Sequence, residues 1–181
     1  SPQWMYASGE DFTIDQSLKF NDDDSAYLSR TFTASNRRTW TFSTWIKRNN
    51  LCANAASGYQ DIWVSPDNTY FTFSDDNEDA LRLFSYDSGA VKLQLVTKRL
   101  FRDTSAWMHF MFVLDTTQGT DTNRFKLYIN GVEETEFESS ANNYSKTYPP
   151  QNYDAHINMA GVHKIGYNNK ADYYMAETHF I

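Results

Sequence analysis

Residues 107–132 constrain the fold of this chain more than any other stretch. Residues 107–115 are apolar at both odd and even positions, and a strand that is apolar on two sides must be covered on two sides. We therefore predict a central strand there. Residues 124–129 alternate between apolar and polar side chains, which is typical of a half-buried strand. Asn130-Gly131 follows and predicts a tight turn, because both residues tolerate positive φ angles.

Shorter runs of the same kind continue along the chain, separated by turns rich in Asn, Asp and Ser. They predict further strands at residues 17–20, 26–31, 40–47, 61–65, 70–74, 81–86, 90–97, 155–167 and 173–181. We expect 17–20 and 26–31 to pair with each other across residues 21–24. No segment of ten or more residues has a helical period. Regularly spaced short strands predict an all-β sandwich or barrel.

The length of 181 residues predicts a single domain, 1–181, with enough chain to bury a core without disulfides. We expect residues 1–16 to be an N-terminal extension, and they lack the basic and apolar regions of a signal peptide. The apolar strand that ends at Ile181 predicts that the native polypeptide continues there, or that a partner segment completes the sheet.

Composition excludes several classes of function. A net charge of −7 argues against nucleic-acid binding and against docking on anionic membranes, both of which need a basic face. No apolar run approaches the ~20 residues of a membrane span, so membrane insertion is not expected. Cys52 is the only cysteine, so no intrachain disulfide can form, which suits folding in a reducing cytosol.

Several motifs carry a resemblance to a known group of proteins. They are the strand with Trp107 and His109, its end at Asp115, the Leu-Tyr-Ile-Asn-Gly turn at 127–131, and the closing pair Ile165-Gly166. In this order they resemble the laminin-G-like, or concanavalin-A-like, lectin jelly-roll superfamily from about Ser17 onward. The resemblance implies a jelly-roll β-sandwich of two antiparallel sheets. It also implies that the family's chain runs on past the last strand.

The sequence resembles one subgroup of this superfamily more closely, namely the domains found in structural proteins of phages and large algal viruses. The segments that carry this resemblance are FNDDDSAYLSRT, NRRTWTFSTWIKR, FRDTSAW, YPPQNYD and YMAETHFI. This resemblance implies a virion protein such as a capsid decoration or tail fibre, made in the host cytoplasm and displayed on the virion surface. Its expected partners are host-surface glycan, other virion proteins, or further copies of itself in a homo-oligomer.

Glu134, Glu136 and Glu138 are the candidates for catalysis, because the superfamily also contains enzymes that cleave β-glucans. Alternating positions on a strand share one face, and two carboxylates about 5–5.5 Å apart can cleave a glycosidic bond with retention. However, the enzyme signature has an Asp between its two Glu residues, with apolar residues interleaved. We therefore expect a solvated strand face, no catalytic residues and no enzyme activity, with a glucanase-like enzyme as the alternative.

Two acidic turns, 22–24 and 75–79, offer the oxygen ligands that calcium takes. Neither has EF-hand spacing, and an acidic turn usually protects a sheet edge, so no metal or other cofactor is expected and calcium is the alternative. His156, His163 and His179 have no metal-ligand spacing. His109 matches a framework position and is predicted to be a core histidine. No nucleophile elbow or phosphate loop occurs.

A carbohydrate-binding role depends on segments rich in Tyr and Asn, because aromatic rings stack on sugars and amides pair with hydroxyls. Two segments qualify. Segment 142–153 contains Tyr144, Tyr148 and Tyr153, and segment 58–70 contains Tyr59, Trp63 and Tyr70. The alternative is that these rings pack onto the sandwich or a neighbouring subunit. The sequence therefore assigns no individual ligand-binding residue, and it predicts a non-enzymatic binding or assembly domain.

Overall fold

A computed structural model of the chain describes residues 14–52, 58–74, 76, 78–167 and 171–181. The strands in chain order are β1 (Leu18–Phe20), β2 (Leu28–Phe32), β3 (Thr39–Arg48), β4 (Tyr59–Val64), β5 (Thr69–Ser74), β6 (Ala80–Asp87), β7 (Ala90–Leu100), β8 (Met108–Asp115), β9 (Phe125–Ile129), β10 (Val132–Glu134), β11 (Ser140–Ala141), β12 (Tyr144–Ser145), β13 (Gly161–Ile165) and β14 (Tyr173–Phe180). The 3-10 turn Asp22–Asp24 lies between β1 and β2, and the 3-10 turn Asp121–Asn123 lies between β8 and β9.

The strands form two six-stranded antiparallel sheets, which confirms the predicted all-β jelly-roll sandwich. Sheet A has the order β1-β14-β3-β8-β9-β10, and sheet B has the order β2-β13-β4-β5-β6-β7. The short strands β11 and β12 pair with each other in a separate two-stranded sheet. Within the described residues, no helix is long and apolar enough to cross a membrane.

Aromatic residues make up nearly half of the core between the sheets. Phe71 of sheet B stacks on Phe112 of sheet A with ring centroids 4.9 Å apart, and Phe112 stacks in turn on Phe42 at 5.6 Å. These rings are fully buried. Much of the high aromatic content is therefore explained by packing, because each buried ring removes a large apolar area from water.

The prediction for residues 107–132 is confirmed in its main points and wrong in one. β8 lies between β3 and β9, and Asn130 (φ 51°) and Gly131 (φ 79°) form the turn from β9 to β10. However, no layer among the described residues covers the second side of β8. His109, Met111 and Val113 are half-buried there, and cross-strand neighbours contact them from the sides, as Trp45 contacts His109 with ring centroids 5.2 Å apart.

The predicted pairing of residues 17–20 with 26–31 is wrong. β1 pairs with β14, and β2 pairs with β13 in the other sheet. The 3-10 turn Asp22–Asp24 ends in Ser25, whose φ of 56° is left-handed. The segment carries the chain from sheet A to sheet B, so neighbouring strands in the sequence are not neighbours in space.

The strand predicted at 155–167 is much shorter, because only Gly161–Ile165 pairs. The residues before it form a loop that is held by hydrogen bonds and partly buried. Asn158 donates from Nδ2 to the carbonyl of Asn36 at 2.8 Å, and its own carbonyl accepts from the amide of Ser35 at 3.3 Å. Of the predicted N-terminal extension, residues 1–13 lie outside the described residues.

Candidate functional site

The face of sheet B that points away from the core carries polar side chains that are nevertheless buried. Tyr70 of β5 is paired with Phe84 of β6, which is paired with Gln94 of β7. On the same two strands, Thr72 of β5 is paired with Arg82 of β6, two residues away from the pair of Tyr70 and Phe84. Side chains alternate between the faces of a strand, and the sequence neighbours of these residues fill the core. All five therefore lie on the outer face.

Arg82 is the centre of this face. Only 6% of its surface is exposed, and its guanidinium carbon lies 4.7 Å from the ring centroid of Phe84 and 5.4 Å from that of Tyr70. Its Nε donates to Oε1 of Gln94 at 3.4 Å, the one hydrogen bond of its side chain within the described residues. The contact with two rings fixes the plane of the guanidinium and leaves donors for a further acceptor.

A hairpin made of β11 and β12 covers one side of this face. The Gln94 side chain, 1% exposed, donates from Nε2 to the carbonyl of Ala141 at 3.1 Å, and the ring of Tyr144 lies 5.5 Å from that of Phe84. Both stems are tied to the edge of sheet B. The Glu138 amide donates to the Val96 carbonyl at 2.8 Å, and the Thr147 amide donates to the Gln94 carbonyl at 2.9 Å.

Asp76 joins the tip of the hairpin to β4. Its carboxylate accepts a hydrogen bond from the hydroxyl of Tyr59 and another from Nδ2 of Asn142 at 3.2 Å. The hydrogen bond to Asp76, together with burial, raises the pKa of Tyr59 to about 12. Burial also raises the pKa of Tyr70, against the nearby charge of Arg82. Both phenols therefore remain neutral hydrogen-bonding groups at physiological pH.

Open space lies beside these residues. A cleft of about 400 Å³ separates the hairpin from the ends of β6 and β7, and Lys98, Glu138 and Ser140 line it. Ser74 Oγ and Asn142 Oδ1, which lie at this face, are buried atoms without a hydrogen-bond partner among the described residues. Buried polar atoms normally have a partner, so a water molecule or a ligand is expected there.

We call this site the outer groove. Side chains of β5, β6 and β7 form its floor, the hairpin forms its wall, and Asp76 lies at its end. It is defined by Tyr59, Tyr70, Thr72, Asp76, Arg82, Phe84, Gln94, Asn142 and Tyr144, together with the adjoining cleft.

The two segments that the sequence suggested for sugar binding are divided by the fold. Tyr59 and Tyr70 lie in the outer groove, whereas Trp63 of the same segment is in the core, with its ring 4.9 Å from that of Phe42. Likewise Tyr144 lies in the groove, whereas Tyr148 and Tyr153 pack against the core.

Arg82, Phe84 and Gln94 were not singled out in the sequence. The signal that could have found them is a charged residue inside an otherwise apolar strand, Leu81-Arg82-Leu83-Phe84. A buried arginine needs compensating partners, so its presence there indicates an organised polar site.

The three candidate glutamates do not share one strand face, because β10 ends at Glu134. Glu134 lies 3.4 Å from Nε of Arg99, and Glu136 lies 3.4 Å from Nζ of Lys98. The segment with Glu136 and Glu138 crosses to sheet B, where its backbone bonds to β7. Glu138 lines the cleft, and the side chains of Glu136 and Glu138 are both exposed.

The acidic turns have different surroundings. Residues 22–24 form an exposed or half-buried 3-10 turn. In the second turn, Asp75 and Asn77 lie outside the described residues, Glu78 pairs with Arg102 at 3.0 Å, and Asp79 points inward to Arg48. No three His, Cys, Asp or Glu side chains in the described part of the chain are grouped as metal ligands.

The prediction that His109 is a core histidine is wrong, since it is half-buried on the outer face of sheet A. The buried histidines are His156 and His163. His163 accepts at Nδ1 from Trp63 Nε1 at 3.3 Å and donates from Nε2 to the Met159 carbonyl at 3.0 Å, and burial lowers its pKa. Burial raises the pKa of Cys52 to about 12, so this thiol is no nucleophile at neutral pH.

Comparison with known proteins agrees with this architecture. Residues 20–169 match a laminin G family model described as the concanavalin A-like lectin/glucanases superfamily. No curated protein matches the sequence.

Solved structures share the fold at low sequence identity. The binding domain of botulinum neurotoxin serotype D is similar with a TM-score of 0.54 and 12% identity, covering 96% of this chain and 40% of that one. The serotype G binding domain has a TM-score of 0.52 and 8% identity, covering 94% and 42%. The galectin LEC-6 of Caenorhabditis elegans has a TM-score of 0.48 and 11% identity, covering 85% and 89%.

This chain thus spans about 40% of the length of the toxin domains. The family match extends over most of the sequence, from Phe20 at the end of β1 to residue 169. The two-sheet topology and the sequence match agree, and the chain belongs to the concanavalin A-like lectin/glucanases superfamily.

Proposed function

We propose that this protein is a non-enzymatic carbohydrate-binding module and that its ligand binds in the outer groove. The observation that carries the proposal is the buried Arg82, packed against the stacked rings of Tyr70 and Phe84 on a face that points away from the core. A purely structural arginine would be expected to satisfy more of its donors within the fold.

The chemistry of the groove suits a saccharide. A sugar ring has an apolar face that packs on aromatic rings, which Tyr70 and Tyr144 supply, and hydroxyl groups that need donors and acceptors. Arg82 offers donors, and Asn142 offers an acceptor in Oδ1. The adjoining cleft of about 400 Å³ falls in the usual range for small ligands, roughly 300–1,000 Å³.

The comparisons support a binding role in a general way. The superfamily takes its name from lectins as well as glucanases, and the two similar toxin structures are described as binding domains. Structural similarity at such low sequence identity indicates a shared fold and does not indicate a shared ligand. The proposal therefore depends on the residues of the groove.

A glucanase-like activity is disfavoured by the placement of the glutamates. Glu134 and Glu136 are each ion-paired with a basic residue of β7, and they lie on segments that belong to different sheets. A reducing-sugar assay on algal and bacterial polysaccharides should detect no cleavage. Release of sugar that is lost in Glu134→Gln or Glu136→Gln would replace the binding proposal with an enzymatic one.

The direct test is a glycan array with the isolated domain, with calcium and with a chelator. We expect binding to a limited set of glycans and at least a tenfold loss in Arg82→Ala, because charge-assisted hydrogen bonds contribute about 1.5–3 kcal/mol. Lys126→Ala is the matched control, since it removes one positive charge from sheet A. Equal binding by both variants would exclude the outer groove. Loss of binding in chelator would identify calcium as a cofactor.

We further propose that the domain is displayed on a virus particle, where it engages host-surface glycan or a neighbouring virion protein. Support comes from the likeness of several sequence phrases to virion proteins of phages and algal viruses. Labelling of purified particles with an antibody against the domain tests the location. Absence of label on intact and disrupted particles would rule it out and leave the carbohydrate proposal unaffected.

A further inference from the structure

The two sheets leave a cleft between them at one edge of the sandwich. It lies between β2 and β13 of sheet B and the end of β14 in sheet A, and its volume is about 380 Å³. The order of sheet B puts this edge at the opposite side from β7 and the hairpin. The cleft is therefore separate from the outer groove.

The floor of the cleft is aromatic and apolar. The ring of Trp63 lies 5.4 Å from that of Phe180 and 6.1 Å from that of Phe32. His163 is also at the floor, but both of its ring nitrogens already have partners in Trp63 and Met159. The floor thus places no polar demand on an occupant, and Leu28 and Ile165 extend its apolar wall.

Arg30 borders this cleft without an anionic partner among the described residues. Its guanidinium carbon lies 5.3 Å from the ring centroid of Phe32, and within the described residues it has no hydrogen bond and no ion pair. Lys164 also borders the cleft, but its Nζ lies 3.5 Å over the ring of Tyr167. Among the residues that the structure describes, no Asp or Glu lines the cleft. An apolar slot with one unpaired guanidinium at its wall is complementary to an apolar body that carries one negative charge.

We propose that this cleft binds a small amphiphilic carboxylate, such as a medium-chain fatty acid. The alkyl chain inserts between the sheets against Phe32, Trp63 and Phe180, and the carboxylate accepts hydrogen bonds from Arg30. This site is independent of the carbohydrate proposal, because it lies between the sheets and uses no residue of the outer groove.

Calorimetric titration with hexanoate, octanoate and decanoate tests the proposal. Each added methylene should tighten binding about fourfold until the cleft is filled, which corresponds to about 0.8 kcal/mol per buried methylene. Octanol and octylamine should bind at least tenfold more weakly than octanoate. Arg30→Gln should abolish the preference for the carboxylate, whereas Arg99→Gln, which removes an exposed arginine from β7, should leave it unchanged.

Location is tested by nuclear Overhauser contacts between alkyl protons and the aromatic protons of Phe32 and Phe180. Arg30 is exposed, so Arg30→Gln is expected to fold and its spectrum checks this. Equal affinity for octanoate and octanol, an unaltered affinity in Arg30→Gln, contacts only to aromatic residues outside the cleft, or no binding at all would each overturn the proposal.

Discussion

The guanidinium of Arg48 lies 2.7 Å from the carboxylate of Asp79 inside the sandwich, where both side chains are almost completely buried. Arg48 also donates from Nη1 to the carbonyl of Phe101 at 2.6 Å, and the amide of Cys52 donates to Asp79 at 2.8 Å. The pair thus ties β3 to the residues that flank β6 and β7. It also anchors the acidic turn from which Asp76 reaches the outer groove.

Removing one member of this pair should destabilise the protein strongly. In Arg48→Met, Asp79 keeps a buried carboxylate without its counter-charge, and the expected loss is about 3–5 kcal/mol in the free energy of unfolding. Urea denaturation followed by tryptophan fluorescence measures it. The double variant Arg48→Met with Asp79→Asn should lose less than the sum of the two single variants, because no buried charge remains. Strictly additive losses would show that the two groups act separately.

Alkaline pH should destabilise the protein through Cys52. Burial raises the pKa of this thiol from 9.0 to about 12, although the charge of Arg48 acts in the opposite direction. A pKa that is higher in the folded state gives a stabilisation that is complete below about pH 9 and is lost as the pH rises through about 12.

The thermal midpoints of the parent and of Cys52→Ser measure this effect. The difference between the two midpoints should narrow from pH 8 to pH 11, because serine does not ionise in that range. The thiol of the folded parent should also resist Ellman's reagent at pH 8 and react after unfolding in urea. Rapid reaction of the folded protein would refute the assignment.

Gly166 should tolerate no side chain. Its φ is +71°, and a Cβ atom there would lie 2.4 Å from Cδ1 of the buried Phe20 ring. Gly166→Ala therefore combines backbone strain with a clash, and overpacking alone costs about 1–3 kcal/mol. Gly89→Ala is the matched control, since φ is +79° and the space is open. In Gly89→Ala, only the backbone strain should lower the free energy of unfolding, by about 1–2 kcal/mol. Equal losses in urea denaturation would contradict this.

The hairpin should be required for ligand binding and dispensable for folding. Replacing residues 140–145 with a Gly-Gly linker leaves the stem bonds from Glu138 and Thr147 to β7 in place. We expect glycan binding to fall at least tenfold, since Tyr144 and Asn142 are removed, while the cooperative unfolding transition is retained. Circular dichroism and the glycan array are the measurements. A variant that binds like the parent would exclude the hairpin from the site.

Local turn chemistry made several parts of the fold predictable. The turn at Asn130-Gly131 and the one at residues 87–89, where Ser88 and Gly89 have positive φ, follow from residues that tolerate that conformation. The pairing of β1 with β14 was not predictable, because it joins the two ends of the chain and no local signal encodes it. The sequence suggested the nearest possible partner for 17–20, and the turn after Phe20 leads elsewhere.

The candidate site was predictable only in part, for a related reason. Tyr59 and Trp63 are four residues apart in β4, so strict alternation would place them on one face. The register shifts between Asp61 and Trp63, and this β-bulge turns Trp63 inward while Tyr59 stays outward. Likewise, the outer groove includes Tyr144, which lies more than fifty residues after Arg82 in the sequence and reaches Phe84 only through the folded hairpin.

The tip of that hairpin is Asn142-Asn143, both with positive φ, and its two stems are held by the backbone of β7. Backbone hydrogen bonds place few demands on side-chain identity, so the sequence between the stems is free to vary without altering either sheet. An ancestral domain could therefore have acquired new recognition properties by changing this short insert alone. The same position is a natural graft point for a library of designed loops.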